Sequence, residues 1–202
     1  EVKNAKYKKL VQTVTYAPHF ISVVVLVGII NISLSPNYGF ISLGLQAIGF
    51  EKQSYLTSPT AFRHIYVWSG IWQNVGWNSI IYIATLSSVD PTIHEAAVID
   101  GASRLQRVWH ISVKSIMPTM VILLILNTGS IMSVGFEKVF LMQNDLNSTT
   151  SDVISTYIYK RGLVNADYSF SSAVGLFNNV INFIILITVN GISRRLGETS
   201  LF

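Results

Sequence analysis

The sequence predicts an all-α membrane protein with four transmembrane helices and one compact polar island between the second and third. Two observations carry this. Half of the 202 residues are hydrophobic and only 12% are charged, against about a quarter charged in a soluble domain. The charges are also clumped: no Asp, Glu, Lys or Arg occurs in Leu10–Phe50, His64–Val89, Ser115–Phe136 or Tyr168–Ser193. Crossing a hydrocarbon core takes roughly 20 mostly apolar residues, and each interval holds that many. A soluble helix of this length needs a charged face towards water, and these have none. A large soluble core cut into buried helices is the weaker reading, because four charge-free spans in so small a chain are hard to solvate.

The predicted spans are Thr15–Leu34, Ile65–Ser87, Ser115–Gly135 and Ser169–Ser193. Before the first stands "EVKNAKYKK", a polar basic run that reads as a loop leaving an earlier hydrophobic segment, so the native chain is expected to begin before Glu1. The first outer loop, Ser35–Phe62, has turn chemistry in "SPNYG" and "TSP". The second, Glu137–Asp167, is polar, and "SDVISTYIYKRGL" within it suggests a short helix on the outer surface. "NST" at Asn147 matches a glycosylation acceptor pattern. Four spans place both termini on one side, with Lys3, Lys6, Lys8, Lys9, Arg104, Arg107, Lys114, Arg194 and Arg195. Lys52, Arg63, Lys138, Lys160 and Arg161 fall on the other. The excess favours a cytoplasmic location for the termini and the island. It also accounts for the net charge of +4 better than a nucleic-acid surface would, since the basic residues form no patch.

The island, residues 90–114, reads as a helix, a turn and a second helix. Asp90-Pro91 has the chemistry of an N-cap followed by proline at the first helical position. "PTIHEAAVID" then makes about two and a half turns, with Glu95 near the positive end of the helix dipole. Gly101 can stop that helix in a left-handed conformation. Ser103 with Gln106 three residues later has capping-box spacing, and the pattern from there runs through Pro118 into the third span. Ala96 and Ala97 leave a low-profile face. Such a helix suits docking, although an ordinary interfacial loop with a helical turn has the same local signals.

Here the chain resembles a known family. "EAAVIDG", nine residues, then "ISVK" resembles the EAA signature of the permease subunits of binding-protein-dependent ABC importers. Glu95, Ala96, Ala97, Gly101 and Ile111 match at the family's spacing. Val113 and Lys114 replace the usual Leu-Pro, which leaves Pro118 as a candidate for the bend into the third span. "YKKLVQTVTYAPHFIS", "VGWNSIIYIATLSSVDP", "SVGFEKVFLMQN", "DVISTYIYKRGL" and "RRLGETSLF" extend the resemblance over nearly the whole chain, to permeases that import oligosaccharides and polysaccharide fragments. The resemblance implies a type I importer permease fold with the last four of six core spans. It implies a coupling helix carrying Glu95, Ala96, Ala97, Asp100, Gly101 and Ile111, seated in a cleft of a separate ATPase. It also implies a second permease subunit (a different one is favoured), two ATP-binding cassette subunits, an extracytoplasmic solute-binding protein, a carbohydrate substrate and a bacterial cell membrane. ATP and Mg would be bound by the partner, with no cofactor on this chain.

Sugars are bound by polar side chains and by aromatic faces, and polar groups inside a membrane face cavities or protein. Trp72, Asn74, Asn78, Asn127, Asn178 and Asn182 are therefore the candidate substrate path. For any one of them a bond between helices is the plainer reading, and for the tryptophans anchoring at the interface. With no cysteine the chain has no disulfide framework or thiol chemistry. Its four histidines are dispersed, it shows no nucleophile–base pair, and it has no G-x-x-x-x-G-K-[ST] loop, so the chain reads as a transporter and not an enzyme. The rival is an ion-gradient carrier, for which an intramembrane carboxylate is expected. None stands in the four intervals.

Overall fold

The computed structural model describes residues 4–195, so Lys3 and all but the first two residues of "RRLGETSLF" lie outside it. The described residues are helical, without strands. In chain order they form α1 (Ala5–Tyr16), a 3₁₀ turn (Ala17–Phe20), α2 (Val23–Ser33), α3 (Phe40–Ala47), α4 (Pro59–Ser87) and α5 (Pro91–Ile99). There follow α6 (Arg104–Thr128), α7 (Phe136–Met142), a single turn α8 (Ser148–Ser151), α9 (Ile154–Tyr159) running into a π turn (Lys160–Val164), and α10 (Tyr168–Arg195). Two compact units share these helices. One takes in the chain to Trp77 with Ser133–Gly175, the other Asn78–Met132 and the chain from Leu176.

By length and composition α6 and α10 can cross a membrane, with mean hydropathies of 1.7 and 1.8, and the pair α1–α2 counts as a third if it forms one span. The expected start of α10 holds to within one residue, and the helix runs through Arg195, the last described residue. The third expected span begins eleven residues early and stops at Thr128: the capping box at Ser103 starts the helix upstream, and Gly129 ends it. The helix α4 starts at Pro59, where Ser58 Oγ accepts from the Ala61 N–H at 3.5 Å. It has the length but falls outside the apolar set, because Arg63, His64, Gln73, Asn74 and Asn78 dilute it.

The first expected span is not one helix. Its two segments meet at 101°. Pro18 opens a 3₁₀ turn, Ile21 is extended (φ −75°, ψ 126°), and Ser22 caps a fresh start by accepting from Val25 N–H at 3.3 Å. A break of this kind frees backbone groups that need partners. In the first unit α4 supplies them. Gln73 Nε2 donates to the Ile21 carbonyl at 2.8 Å, and a Cβ on Gly76 would overlap the Thr15 carbonyl. Below the bend, Val27, Phe62, Val139 and Met142 form a core cluster, with Leu26, Ile30 and Leu34 in a second.

The second outer segment is tied down from within the same unit. Asn147 is completely buried. Its amide donates to the Leu56 and Met142 carbonyls at 2.9 and 3.1 Å, and its Oδ1 accepts from Asn144 N–H and Ser151 Oγ. An amide so engaged is no glycosylation acceptor, which overturns the reading of "NST". Asp152 accepts from Gln143 and pairs with Lys160 at 3.1 Å, and these hold its carboxyl below the ordinary range.

In the second unit α6 and α10 pack closely at Gly129, where a Cβ would strike Leu186 Cδ1. The Thr85 and Thr119 hydroxyls pair at 3.2 Å, linking α4 to α6. Ile125 is fully buried.

Candidate functional site

The island belongs wholly to the second unit. Its first helix begins as the sequence predicts: Asp90 Oδ1 accepts from Thr92 N–H at 2.9 Å, with Pro91 at the first helical position. That bond holds the Asp90 carboxyl below its ordinary range. The helix ends in a two-bond Schellman arrangement. Ala102 N–H donates to the Ala97 carbonyl at 2.9 Å and Gly101 N–H to Val98 at 3.1 Å, with Gly101 at φ +79°. This closure needs a left-handed residue after the helix, and glycine takes that conformation without a Cβ penalty. Ser103 and Gln106 then form a reciprocal capping box: Ser103 N–H donates to Gln106 Oε1 at 2.8 Å, and Gln106 N–H to Ser103 Oγ at 3.4 Å.

Past the box the helix is wound wide as a π turn over Val108–Val113. Ser115 Oγ donates to the Ile111 carbonyl at 2.7 Å and His110 Nδ1–H to Gln106 at 3.1 Å. The irregularity expected at Pro118 therefore precedes Lys114, and α6 runs through Pro118 as one helix. The wider turn has a physical consequence: it turns the first residues of α6 relative to the rest of the helix without breaking the chain.

The matched residues come together on this short segment. Glu95, Ala96, Asp100 and Gly101 are exposed, Ala97 and Ile111 half-buried. Glu95 makes no ion pair among the described residues. Apolar side chains stand out between the charges, with Ile99 86% and Leu105 82% exposed. Ala97, Gly101 and Ile111 line a cavity of about 340 Å³ between the two halves of the island. An exposed, doubly capped turn with apolar knobs, the exposed carboxylates of Glu95 and Asp100 and a hollow has the make-up of a protein-docking surface.

The candidate path residues are divided. Trp72 and Asn74 belong to the first unit, and Asn78, Asn127, Asn178 and Asn182 to the second. Asn74 is engaged structurally: its amide donates to the Gly70 carbonyl at 3.0 Å, and its Oδ1 accepts from His19 Nδ1 at 3.2 Å. The His19 ring stacks on Trp77 at 4.5 Å and 6°, with Phe20 edge-on to the same indole. Asn182, buried, accepts from Met132 N–H at 3.2 Å. Trp72, Asn78 and Asn127 are exposed, and Asn178 carries a buried Oδ1 with no partner. Trp72 also lines an apolar cavity of about 560 Å³ with Trp68, Leu26 and Ile30.

Two residues escaped the sequence reading. Lys138, placed among the outer-loop cations, is 8% exposed. It lies over the Tyr66 ring and donates to the Tyr66 carbonyl at 2.9 Å. Its apolar neighbours in "FEKVFLM" were the available signal. Arg107, read only for its charge, has a buried Nε with no partner, and nothing local marks it.

Residues 2–198 match the family model described as binding-protein-dependent transport system inner membrane component. The chain is 39% identical over its full length to Protein LplB of Bacillus subtilis (strain 168), and 38% identical to the polygalacturonan/rhamnogalacturonan transport system permease protein YteP of the same organism. It spans 64% and 63% of those two relatives, less than two thirds of each. Among solved structures it superposes with a TM-score of 0.95 and 41% identity on a chain of the bacterial alginate ABC transporter in complex with an alginate pentasaccharide-bound periplasmic protein. That match covers all of this chain and 70% of the other. A second structure, of a bacterial ABC transporter involved in the import of the acidic polysaccharide alginate, gives 0.93 and 42%, covering 96% and 68%.

Proposed function

Because the chain belongs to the family of binding-protein-dependent transport system inner membrane components, we propose that it is the membrane-spanning permease subunit of an ATP-driven importer of acidic oligosaccharides. The observation that carries the reading is the island: a doubly capped helix–turn–helix with exposed carboxylates at Glu95 and Asp100, presented by a helix apolar enough to span. Glu95, Ala96, Ala97, Asp100, Gly101 and Ile111 form the coupling surface, which transmits closure of a separate ATPase pair to the spans.

The helix α4 is the fourth span. Its polar and aromatic residues disqualify it as a lipid-facing helix and suit it to a protein-lined path. Both termini of this chain then lie on the cytoplasmic side with the island. Trp72, Asn78 and Asn127 are the residues of this path exposed to meet substrate, Asn178 joins them with a buried Oδ1 that lacks a partner, and Asn74 and Asn182 hold the helices in place. A second permease, two ATPase subunits and a solute-binding protein complete the assembly. The substrate class rests on the relatives, whose names speak of polygalacturonan, rhamnogalacturonan and alginate.

The test is uptake by vesicles that contain the reconstituted complex with ATP inside. Oligouronides should accumulate, and only with ATP and the solute-binding protein present. Uptake driven by a proton or sodium gradient without ATP would sink the importer reading. Uptake of neutral oligosaccharides alone would remove the acidic substrate class.

A further inference from the structure

The cavity in the island contains a cation with nothing to hold. Arg107 lines it together with Ala97, Asp100, Gly101, Gln106 and His110. Its side chain makes no hydrogen bond or ion pair among the described residues, and its Nε is shut off from water without a partner. A guanidinium has five N–H donors and no acceptor, and keeps its charge at every physiological pH. Burying one of those donors unanswered costs free energy that an acceptor would return.

The neighbours do not answer it. Asp100 lines the same cavity but is exposed at the helix end and forms no ion pair with Arg107. Gln106 uses its Oε1 on the capping box. His110 donates through Nδ1 to the Gln106 carbonyl, which leaves only its Nε2 turned to other partners. His94, on α5 one turn before Ala97, has a second buried and unpartnered nitrogen. Five buried side-chain atoms lack partners among the described residues, and two of them are on this one short segment. The shortage is therefore concentrated where a partner is expected.

We propose that this cavity receives an acidic side chain of the ATP-hydrolysing subunit, and that Arg107 is the residue that grips it. The inference rests on the reading of the island as the docking surface and adds a second direction to it. The helix inserts into the partner, and the partner inserts a carboxylate between the helix and α6. A carboxylate is the acceptor that fits, because it can take two guanidinium N–H groups at once and neutralise a half-buried charge, which a peptide carbonyl cannot. Gly101 and Ala97 keep the entrance low, since neither places a side chain larger than a methyl there.

The experiment uses the full assembly in lipid nanodiscs and measures how tightly the permease pair captures the ATPase subunits. Arg107→Ala should weaken capture by at least about tenfold, since truncating one side of a buried, hydrogen-bonded charge pair acts mainly on retention. Arg107→Lys should fall between, keeping the charge and losing the fork. Added salt should loosen the wild type more than the Ala variant. Arg107→Glu should lose capture and regain it when one Asp or Glu in the ATPase cleft is changed to Lys, which would also identify the partner residue. Gly101→Val serves as the control. If Gly101→Val loses capture while both Arg107→Ala and Arg107→Lys keep it, the island docks but the cavity takes no carboxylate. If Arg107→Ala keeps the ATPase but sheds bound anionic lipid, the occupant is a lipid phosphate and the proposal is overturned. If the wild type captures nothing, the docking reading itself falls. Where the Ala variant fails to insert, Arg107→Lys and the charge-swap rescue still decide.

Discussion

The chain is interrupted twice by similar local chemistry, with opposite outcomes. Between α1 and α2 a proline turn and a serine cap bend the chain by 101°, and the protein closes the wound itself. Gln73 takes the freed Ile21 carbonyl, His19 donates to Asn74, and Trp77 covers His19. Between α5 and α6 a glycine turn and a serine cap reverse the chain and close their own backbone bonds, but the side-chain nitrogens His94 Nδ1 and Arg107 Nε beside them have no partner among the described residues. A break that is fully satisfied internally serves the fold. A break flanked by buried side-chain nitrogens without partners is where the proposed docking contact is placed.

That contrast can be broken most forcefully at Gly76. A Cβ there meets the backbone of Thr15, which cannot step aside as a side chain would. Gly76→Val should cost more than the ~1–3 kcal/mol of ordinary overpacking and collapse the yield of folded protein on size exclusion. Wild-type yield and melting would show that the bend is not clamped by α4.

The same unit should show a pH signature. Burial pushes the Lys138 ammonium down to about 8 from 10.5. Between those values the unfolded chain holds a proton that the folded chain does not, so stability should rise as pH goes from about 8 to 10.5. Below 8 both states are protonated and the cost of burying the charge stands in full, up to about 3 kcal/mol. Lys138→Met should melt no lower than the wild type at pH 7 and lose that rise. A variant that melts far lower at pH 7 would make the Tyr66 contact worth more than the desolvation it offsets.

At the open break the effects should fall on coupling. Gly101 has φ +79° and free space around its Cα, so a substitution there meets conformational strain only. Gly101→Val should cost roughly 1–3 kcal/mol, reach the membrane, and lose ATPase capture and uptake together. Gly101→Ala should be milder. Normal capture by the Val variant would mean that the turn does not present the docking helix.

The smallest expected change in stability is at Glu95. Glu95 lies in the middle of α5, past the first turn where the sequence reading placed it, so reversing its charge should cost less than the ~0.3–1 kcal/mol of a first-turn acid, too little to unfold the domain, while uptake should fall through the altered partner surface. Full ATP-driven uptake by Glu95→Lys would remove Glu95 from the coupling surface.

The sequence alone determined what short-range chemistry controls. Charge-free stretches announced α10, which begins within one residue of expectation and runs through the last described residue, Arg195. Asp90-Pro91, Gly101 and the Ser103–Gln106 pair marked the caps and the turn of the island, because a cap is satisfied within three or four residues of itself. Only the tertiary structure decided the rest. The partner of the Ile21 carbonyl is 52 residues away, that of Lys138 is 72, and that of Asn147 is 91. Asn147 matched a surface acceptor pattern until packing supplied its partners, and the bonds of Asn74 and Asn182 to Gly70, His19 and Met132 were not legible either. An amide or an ammonium looks the same in sequence whether it meets water, sugar or a carbonyl. Which one it meets depends on the backbone groups that distant breaks set free, and Arg107 Nε meets none among the described residues.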